Sequence, residues 1–146
     1  MDTDTPIETT PKEVKLNFKD SKYATGRRKK SIAKVWVKKG SGKILVNGKK
    51  MIDYFHKPNL QTAICRPLTI SKRENEYDVR CSVKGGGLTG QAGAIIHGLS
   101  RAIILHEPDL KPTLKKENLT TRDSRAVERK KYGRRKARRS YQFSKR

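Results

Sequence analysis

Apolar residues recur at every second position in two stretches of the chain and at a helical period in a third. Those patterns predict most of its regular structure. Between Lys30 and Lys38, Ala33, Val35 and Val37 take one face while Ile32, Lys34, Trp36 and Lys38 take the other, which predicts a half-buried strand. Gly40-Ser41-Gly42 then reads as a turn, and Lys43 to Val46 as the returning strand of a hairpin, ended by Asn47-Gly48. The cleaner alternation is Tyr77, Val79, Cys81 and Val83 against Asp78, Arg80, Ser82 and Lys84, a second half-buried strand. After a glycine cluster the spacing changes. Ala92, Ile95, Ile96, Leu99, Ala102 and Ile103 form one apolar stripe, which predicts a central helix packed on the sheet and closed by Pro108. Weaker signals predict a short helix from Met51 to Phe55, stopped by Pro58, and another over Leu60 to Cys65, capped by Asn59 and ended by Pro67. Leu68 to Ile70 reads as a strand and Lys111 to Lys116 as a last short helix. The sum is an α+β domain, a small sheet covered by helices.

Composition divides the chain into three parts. Up to Ser21, Asp2, Asp4, Glu8, Glu13 and Asp20 outweigh Lys12, Lys15 and Lys19, among threonines and prolines with little to bury, so residues 1–21 are expected to be a disordered acidic extension. Residues 22–118 hold nearly all the periodic apolar positions and form the globular domain. Residues 119–146 hold almost none and read as a basic tail. The whole chain has 146 residues, room for one domain, and carries 36 Lys and Arg against 14 Asp and Glu, a net +22. That much like charge repels itself unless a polyanion neutralises it. A membrane surface fits poorly. No apolar run approaches the ~20 residues of a spanning helix, and the best amphipathic stretch, Ala92 to Leu105, carries only Arg101 as a fixed charge. The first residues resemble neither a secretory signal nor an Arg-rich transit peptide, so the chain is expected in the cytoplasm. Cys65 and Cys81 share no disulfide or metal spacing and read as two buried thiols.

Nucleic acid is the polyanion the tail selects. From Glu128 onward Arg129, Lys130, Lys131, Arg134, Arg135, Lys136, Arg138, Arg139, Lys145 and Arg146 face a single acid, with Tyr132, Tyr141 and Phe143 interleaved. Guanidinium groups fork onto phosphate oxygens and stack on bases, and the aromatic rings add stacking surface. A second cluster, Arg27-Arg28-Lys29-Lys30, precedes the first predicted strand; alone it fits a solvated edge as well as a phosphate contact. A chromatin-like DNA-binding protein would share this charge, but needs a dimer or a groove-entering element that is not evident.

Gly85-Gly86-Gly87-Leu88-Thr89-Gly90 has the literal spacing of a dinucleotide loop, after a strand and before a helix. Glu107, at ribose-binding distance in sequence, ends a helix rather than a strand, and too little chain follows for a doubly wound sheet. Gln91-Ala92 stands where a Walker loop requires Lys-Ser/Thr. The glycines, Gly85 and Gly86 first, are better read as close backbone approach beside helix-start N–H groups that can meet an RNA phosphate, with Gly93 and Gly98 serving close packing. His56, His97 and His106 share no ligand spacing, and no serine sits in a nucleophile elbow. No catalytic residue, cofactor, metal or small-molecule substrate is expected.

These segments, in order, resemble a known family. Tyr23-Ala24-Thr25-Gly26-Arg27-Arg28-Lys29-Lys30-Ser31, Val83-Lys84-Gly85-Gly86-Gly87 and Gly90-Gln91-Ala92-Gly93-Ala94-Ile95 are similar to motifs of the universal small-subunit ribosomal protein nine family. So are Leu119-Thr120-Thr121-Arg122-Asp123, Glu128-Arg129-Lys130-Lys131-Tyr132-Gly133, Arg135-Lys136-Ala137-Arg138-Arg139 and Gln142-Phe143-Ser144-Lys145-Arg146. The terminal Ser-Lys-Arg resembles the bacterial type; archaeal and eukaryotic cytosolic relatives tend to end in Ser-Tyr-Arg. The resemblance implies a fold like the second domain of ribosomal protein five and a place in the head of the small subunit, among neighbouring head proteins. It also implies a tail threading small-subunit rRNA toward the P site. On it, Ser144, Lys145 and Arg146 would meet the backbone of the P-site tRNA anticodon stem-loop. Arg27, Arg28, Lys29, Lys30, Gly85, Gly86, Arg125, Arg129, Lys130, Lys131, Arg134, Arg135, Lys136, Arg138 and Arg139 would bind rRNA. The family's relatives by fold include small-molecule kinases, whose other motifs are missing here. Residues 1–21 depart from the family pattern.

Overall fold

The computed structural model describes residues 18–145 and is an α+β domain. Its strands are β1 (Lys22–Arg28), β2 (Ser31–Lys39), β3 (Ile44–Val46), β4 (Lys49–Lys50) and β5 (Tyr77–Lys84). Its helices are α1 (Met51–Tyr54), α2 (Pro58–Ile70), α3 (Leu88–His106) and α4 (Lys111–Lys116), with a 3-10 turn at Pro108–Leu110. The sheet order is β1-β2-β5-β3-β4, antiparallel except where β3 runs parallel to β5. Three long predicted elements appear as expected. Ala33, Val35 and Val37 of β2 and Val79, Cys81 and Val83 of β5 face the core, and the stripe on α3 from Ala92 to Ile103 closes over them.

The expected hairpin between β2 and β3 does not form. Asp78 reads from sequence as one of the polar positions of β5, yet it is buried and its carboxylate accepts the N–H groups of Ser41 (2.8 Å) and Lys43 (3.0 Å). Gly40 donates to the Glu76 carbonyl at 2.7 Å. The loop is thereby carried over the end of β5, and β3 lands on the far side of that strand, with Ile44 opposite Val79. β2 instead pairs with β5 along its length from Ile32 to Lys39.

Pro67 does not end a helix, and Leu68 to Ile70 is not a strand: α2 runs through all four. Leucine and isoleucine keep the helical period across the proline, burying Ile64, Pro67 and Leu68 on one face. Packing on α3 offsets the lost backbone hydrogen bond. Cys81 is buried, its thiol pushed up to about 12 by desolvation, whereas Cys65 is only partly buried, so just one of the two thiols fits the expectation. The acidic extension lies outside the described residues apart from its last four.

β1 has no counterpart in the hydrophobic pattern because its core-facing positions are nearly side-chain-free. Ala24 and Gly26 point inward, and α3 crosses directly over them. A Cβ on Gly26 would overlap the carbonyl of Ala94, and one on Gly98 would lie 3.0 Å from the Gly26 amide nitrogen and crowd Val35. Gly26→Ala is therefore expected to destabilise the purified protein by about 3 kcal/mol, the upper range for overpacking a close contact. Gly87→Ala meets nothing within 4 Å and is expected to stay within about 0.5 kcal/mol. Urea midpoints of the two variants check the contrast.

Candidate nucleic-acid interface

The first basic cluster lies partly inside β1 rather than ahead of the first strand. Arg27 and Arg28 end β1, and Lys29 and Lys30 make the turn into β2, with Lys29 at φ +51°. The glycine loop after β5 packs against this turn. Ser31 Oγ donates to the Gly85 carbonyl at 3.0 Å, and Gln91 Nε2 reaches the same oxygen at 3.2 Å. Gly85 and Gly86 adopt φ of +74° and +64°, and a Cβ on Gly85 would come 2.6 Å from the Lys30 carbonyl. Glycine is thus required twice over, by backbone conformation and by contact. α3 begins directly after Gly87, which offers no side-chain cap, so the basic turn, the exposed glycines and the start of α3 share one end of the domain.

The C-terminal segment is rooted at the same end. Beyond α4 the Leu119 N–H donates to the Leu114 carbonyl, and the Leu119 side chain is buried in the core. Asp123 lies 3.2 Å from the Arg28 guanidinium and 2.9 Å from that of Arg125. Side-chain and backbone hydrogen bonds from Arg125, with the nearby charge of Arg28, hold the Asp123 carboxyl far below the usual carboxylate range. Arg28 runs over Gly93, where any side chain would displace it. Arg27, Arg28, Arg66, His97, Asn118 and Thr121 thus border a cleft of about 280 Å³. Gly93 and Gly98, expected to serve packing within the helix, serve packing of the helix against Arg28 and β1.

After Asp123 almost every side chain is exposed, and no helix or strand follows Lys116 among the described residues. Arg129, Lys130, Arg134, Lys136 and Arg139 project into solvent. Glu128, the one acid, is shared by Lys131 and Arg138 at 2.9 Å each, and the Arg135 guanidinium lies 5.5 Å from the Tyr141 ring centroid. Val127, Tyr132 and Phe143 are also exposed, as are Ser144 and Lys145; Arg146 lies outside the described residues. The fold therefore gathers Arg27 to Lys30, Gly85, Gly86 and Arg125, and leaves the remaining predicted positions strung beyond them. Among the described residues no three His, Cys, Asp or Glu side chains cluster as a metal site, and no helix is long and apolar enough to cross a membrane.

The family model for ribosomal protein S9/S16 matches residues 26–146, from Gly26 in β1 to the last arginine. The chain belongs to this family. It is a structural, non-enzymatic protein of the small ribosomal subunit that binds rRNA. The match takes in the basic turn, the glycine loop and the whole C-terminal segment, and begins where α3 crosses β1.

Two residues of α3, one turn apart, support this surface. The Arg27 backbone N–H donates to His97 Nδ1 at 3.3 Å, and Arg101 donates to the Thr25 carbonyl at 2.7 Å. Together they cap the open edge of β1. The i and i+4 spacing placed them on one face; only the position of β1 shows what that face meets. Burial, then the charges of Arg101 and Arg122, push the His97 imidazole below its ordinary 6.5, despite a backbone hydrogen bond to Thr120. The unfolded chain therefore takes up a proton more readily than the folded one, so stability falls as the pH drops below 6.5. The carboxylates with depressed values add their own loss only below about 4.5. We expect urea midpoints to decline between pH 6.5 and 4.5 in the native protein, and to decline visibly less in His97→Gln.

Proposed function

We propose that this protein sits in the head of the small subunit of a bacterial-type, cytoplasmic ribosome, beside neighbouring head proteins, and reaches the P site with its C-terminal tip. On this reading residues 22–118 have the fold of the second domain of ribosomal protein five and fix position on the rRNA. Residues 119–146 form an extended basic tail. Arg27, Arg28, Lys29 and Lys30 hold rRNA phosphates together with the backbone at Gly85 and Gly86 and with Arg125. Arg129, Lys130, Lys131, Arg134, Arg135, Lys136, Arg138 and Arg139 line a passage through RNA. Ser144, Lys145 and Arg146 donate to phosphates of the P-site tRNA anticodon stem-loop, a grip that reads no sequence.

One observation carries most of this: the root of the C-terminal segment is tied through Asp123 to Arg28, at the end of the domain where the basic turn and the glycine loop meet. Phosphate contacts made by the domain therefore set the direction in which the segment leaves it. The segment itself has ten cations against one acid from Glu128 onward and keeps its rings in solvent, a surface suited to phosphate and base rather than to a protein core.

Deleting Ser144 to Arg146 is expected to leave subunit assembly nearly intact while tRNA leaves the P site about tenfold faster, the worth of one charge-assisted hydrogen bond of about 1.5 kcal/mol. The effect should shrink as salt rises. Filter-binding dissociation rates on mutant subunits measure it, and an unchanged rate at low salt removes the tip from the tRNA site.

A further inference from the structure

Among the described residues the two long helices, α2 and α3, leave one face of the sheet open. α3 covers the inner side of β1 and β2, and α2 packs on α3 rather than on the opposite face. The outer side of the three antiparallel strands carries Tyr23, Thr25 and Arg27 on β1. Beside them lie Ile32, Lys34, Trp36 and Lys38 on β2, and Arg80, Ser82 and Lys84 on β5. Register places them in rows: Tyr23 beside Trp36 beside Arg80, then Thr25, Lys34 and Ser82, then Arg27, Ile32 and Lys84. The first row sets three flat groups side by side, the two rings tilted by 40°. The Tyr23 and Trp36 rings are 5.3 Å apart, and the Arg80 guanidinium lies 5.9 Å from the Trp36 centroid. Tyr23 is 45% exposed, and Arg80, Lys34, Lys84 and Arg27 are exposed as well.

The charge on this face has one sign. Asp78 is the one carboxylate on the outer positions of these strands, and it is buried and occupied by Ser41 and Lys43. Among the described residues Arg27, Lys34, Arg80 and Lys84 take part in no ion pair, although the domain elsewhere pairs Arg28, Arg66 and Arg73. Tyrosine, tryptophan and a planar guanidinium in a row, flanked by lysines and arginines one strand spacing away, match the chemistry of unpaired nucleotides: bases stack on the flat groups and phosphates meet the cations. The face also runs without a break into the basic turn, since Arg27 belongs to both.

We propose that the open face of β1, β2 and β5 is a second RNA-binding surface, which takes a single-stranded rRNA segment by stacking on Tyr23, Trp36 and Arg80. It rests on the rRNA-binding reading above but not on the C-terminal segment. Arg27, Lys34 and Lys84 align the backbone of that segment, and Trp36 works mainly as the support that holds the other two flat.

Trp36 is the single tryptophan of the chain, so its fluorescence reports this surface alone. The test titrates the full-length protein with a twelve-nucleotide oligouridine carrying a fluorescent end label. RNA binding anywhere is followed by anisotropy, occupancy of the sheet face by Trp36 emission, and inorganic polyphosphate serves as a base-free control. The expected result is quenching of Trp36 by RNA and not by polyphosphate. Half-saturation should rise about tenfold in Tyr23→Ala, the loss of one stacked base, and severalfold in Lys34→Glu, with unfolding midpoints unchanged. Anisotropy that rises while Trp36 stays constant overturns the platform and leaves the C-terminal segment as the RNA-binding part. Equal quenching by polyphosphate overturns base stacking. No binding by either signal overturns this surface. In assembled subunits a photo-crosslinker at position 34 is expected to join rRNA; a cross-link to a neighbouring protein, or none to RNA, overturns the assignment.

Discussion

Helix α3 rests on strand β1 with almost no side chain between them. Gly26, Ala94 and Gly98 bring backbone against backbone, and the carbonyl of Ala94 fills the space where a Cβ on Gly26 would be. Close packing of this kind forfeits the burial of large side chains, and β2 and β5 supply that instead through Val35, Val37, Val79 and Val83. What it brings is position. With α3 so near, His97 and Arg101 reach the edge groups of β1, and Arg28 lies over Gly93 toward Asp123. These contacts at the basic end of the domain follow from that approach.

Much of the sheet and the central helix was legible in the sequence because those elements bury one face and expose the other, which leaves a period. β1 leaves none. Its inner face is Ala24 and Gly26, too small to register as apolar, and its end is arginine, so only the basic cluster showed. The hairpin expectation failed for a different reason. Asp78 occupies a polar position of an alternating strand, and nothing local says that its carboxylate is buried under a loop more than thirty residues earlier. Pro67 misled in the same way, since the local rule for proline is outweighed by a buried face that continues through Ile64 and Leu68. Of the candidate site, the cationic clusters and the glycine run could be read directly. Their meeting could not: it depends on the β1–β2 turn packing against the loop after β5, a contact between residues 54 apart.

The distribution of charge follows from the same architecture. A net charge of +22 on 146 residues opposes compactness, and the domain separates its cations into three surfaces rather than neutralising them. The few acids near these surfaces hold structure: Asp78 fixes a loop, Asp123 the root of the C-terminal segment, and Glu107 the Tyr77 hydroxyl and Arg73. None of those three is left to compete with a phosphate. These three carboxylates are engaged by hydrogen bonds and ion pairs, while the cations around them stand in solvent.

The C-terminal segment carries this arrangement furthest, and its internal contacts are few and exposed. Glu128 alone answers Lys131 and Arg138, on an exposed surface where water and salt screen such pairs. Arg135 over Tyr141 is likewise a contact between exposed groups. Against these stands the conformational entropy of about twenty residues, at roughly 1–2 kcal/mol each. No apolar cluster beyond Leu119 offsets that cost, because Val127, Tyr132, Tyr141 and Phe143 all remain in solvent. On the proposed reading, phosphates along most of its length supply what its own contacts do not, each releasing counterions as it is met. On that reading its anchor lies on a body placed against the same RNA, through the pair of Arg28 and Asp123.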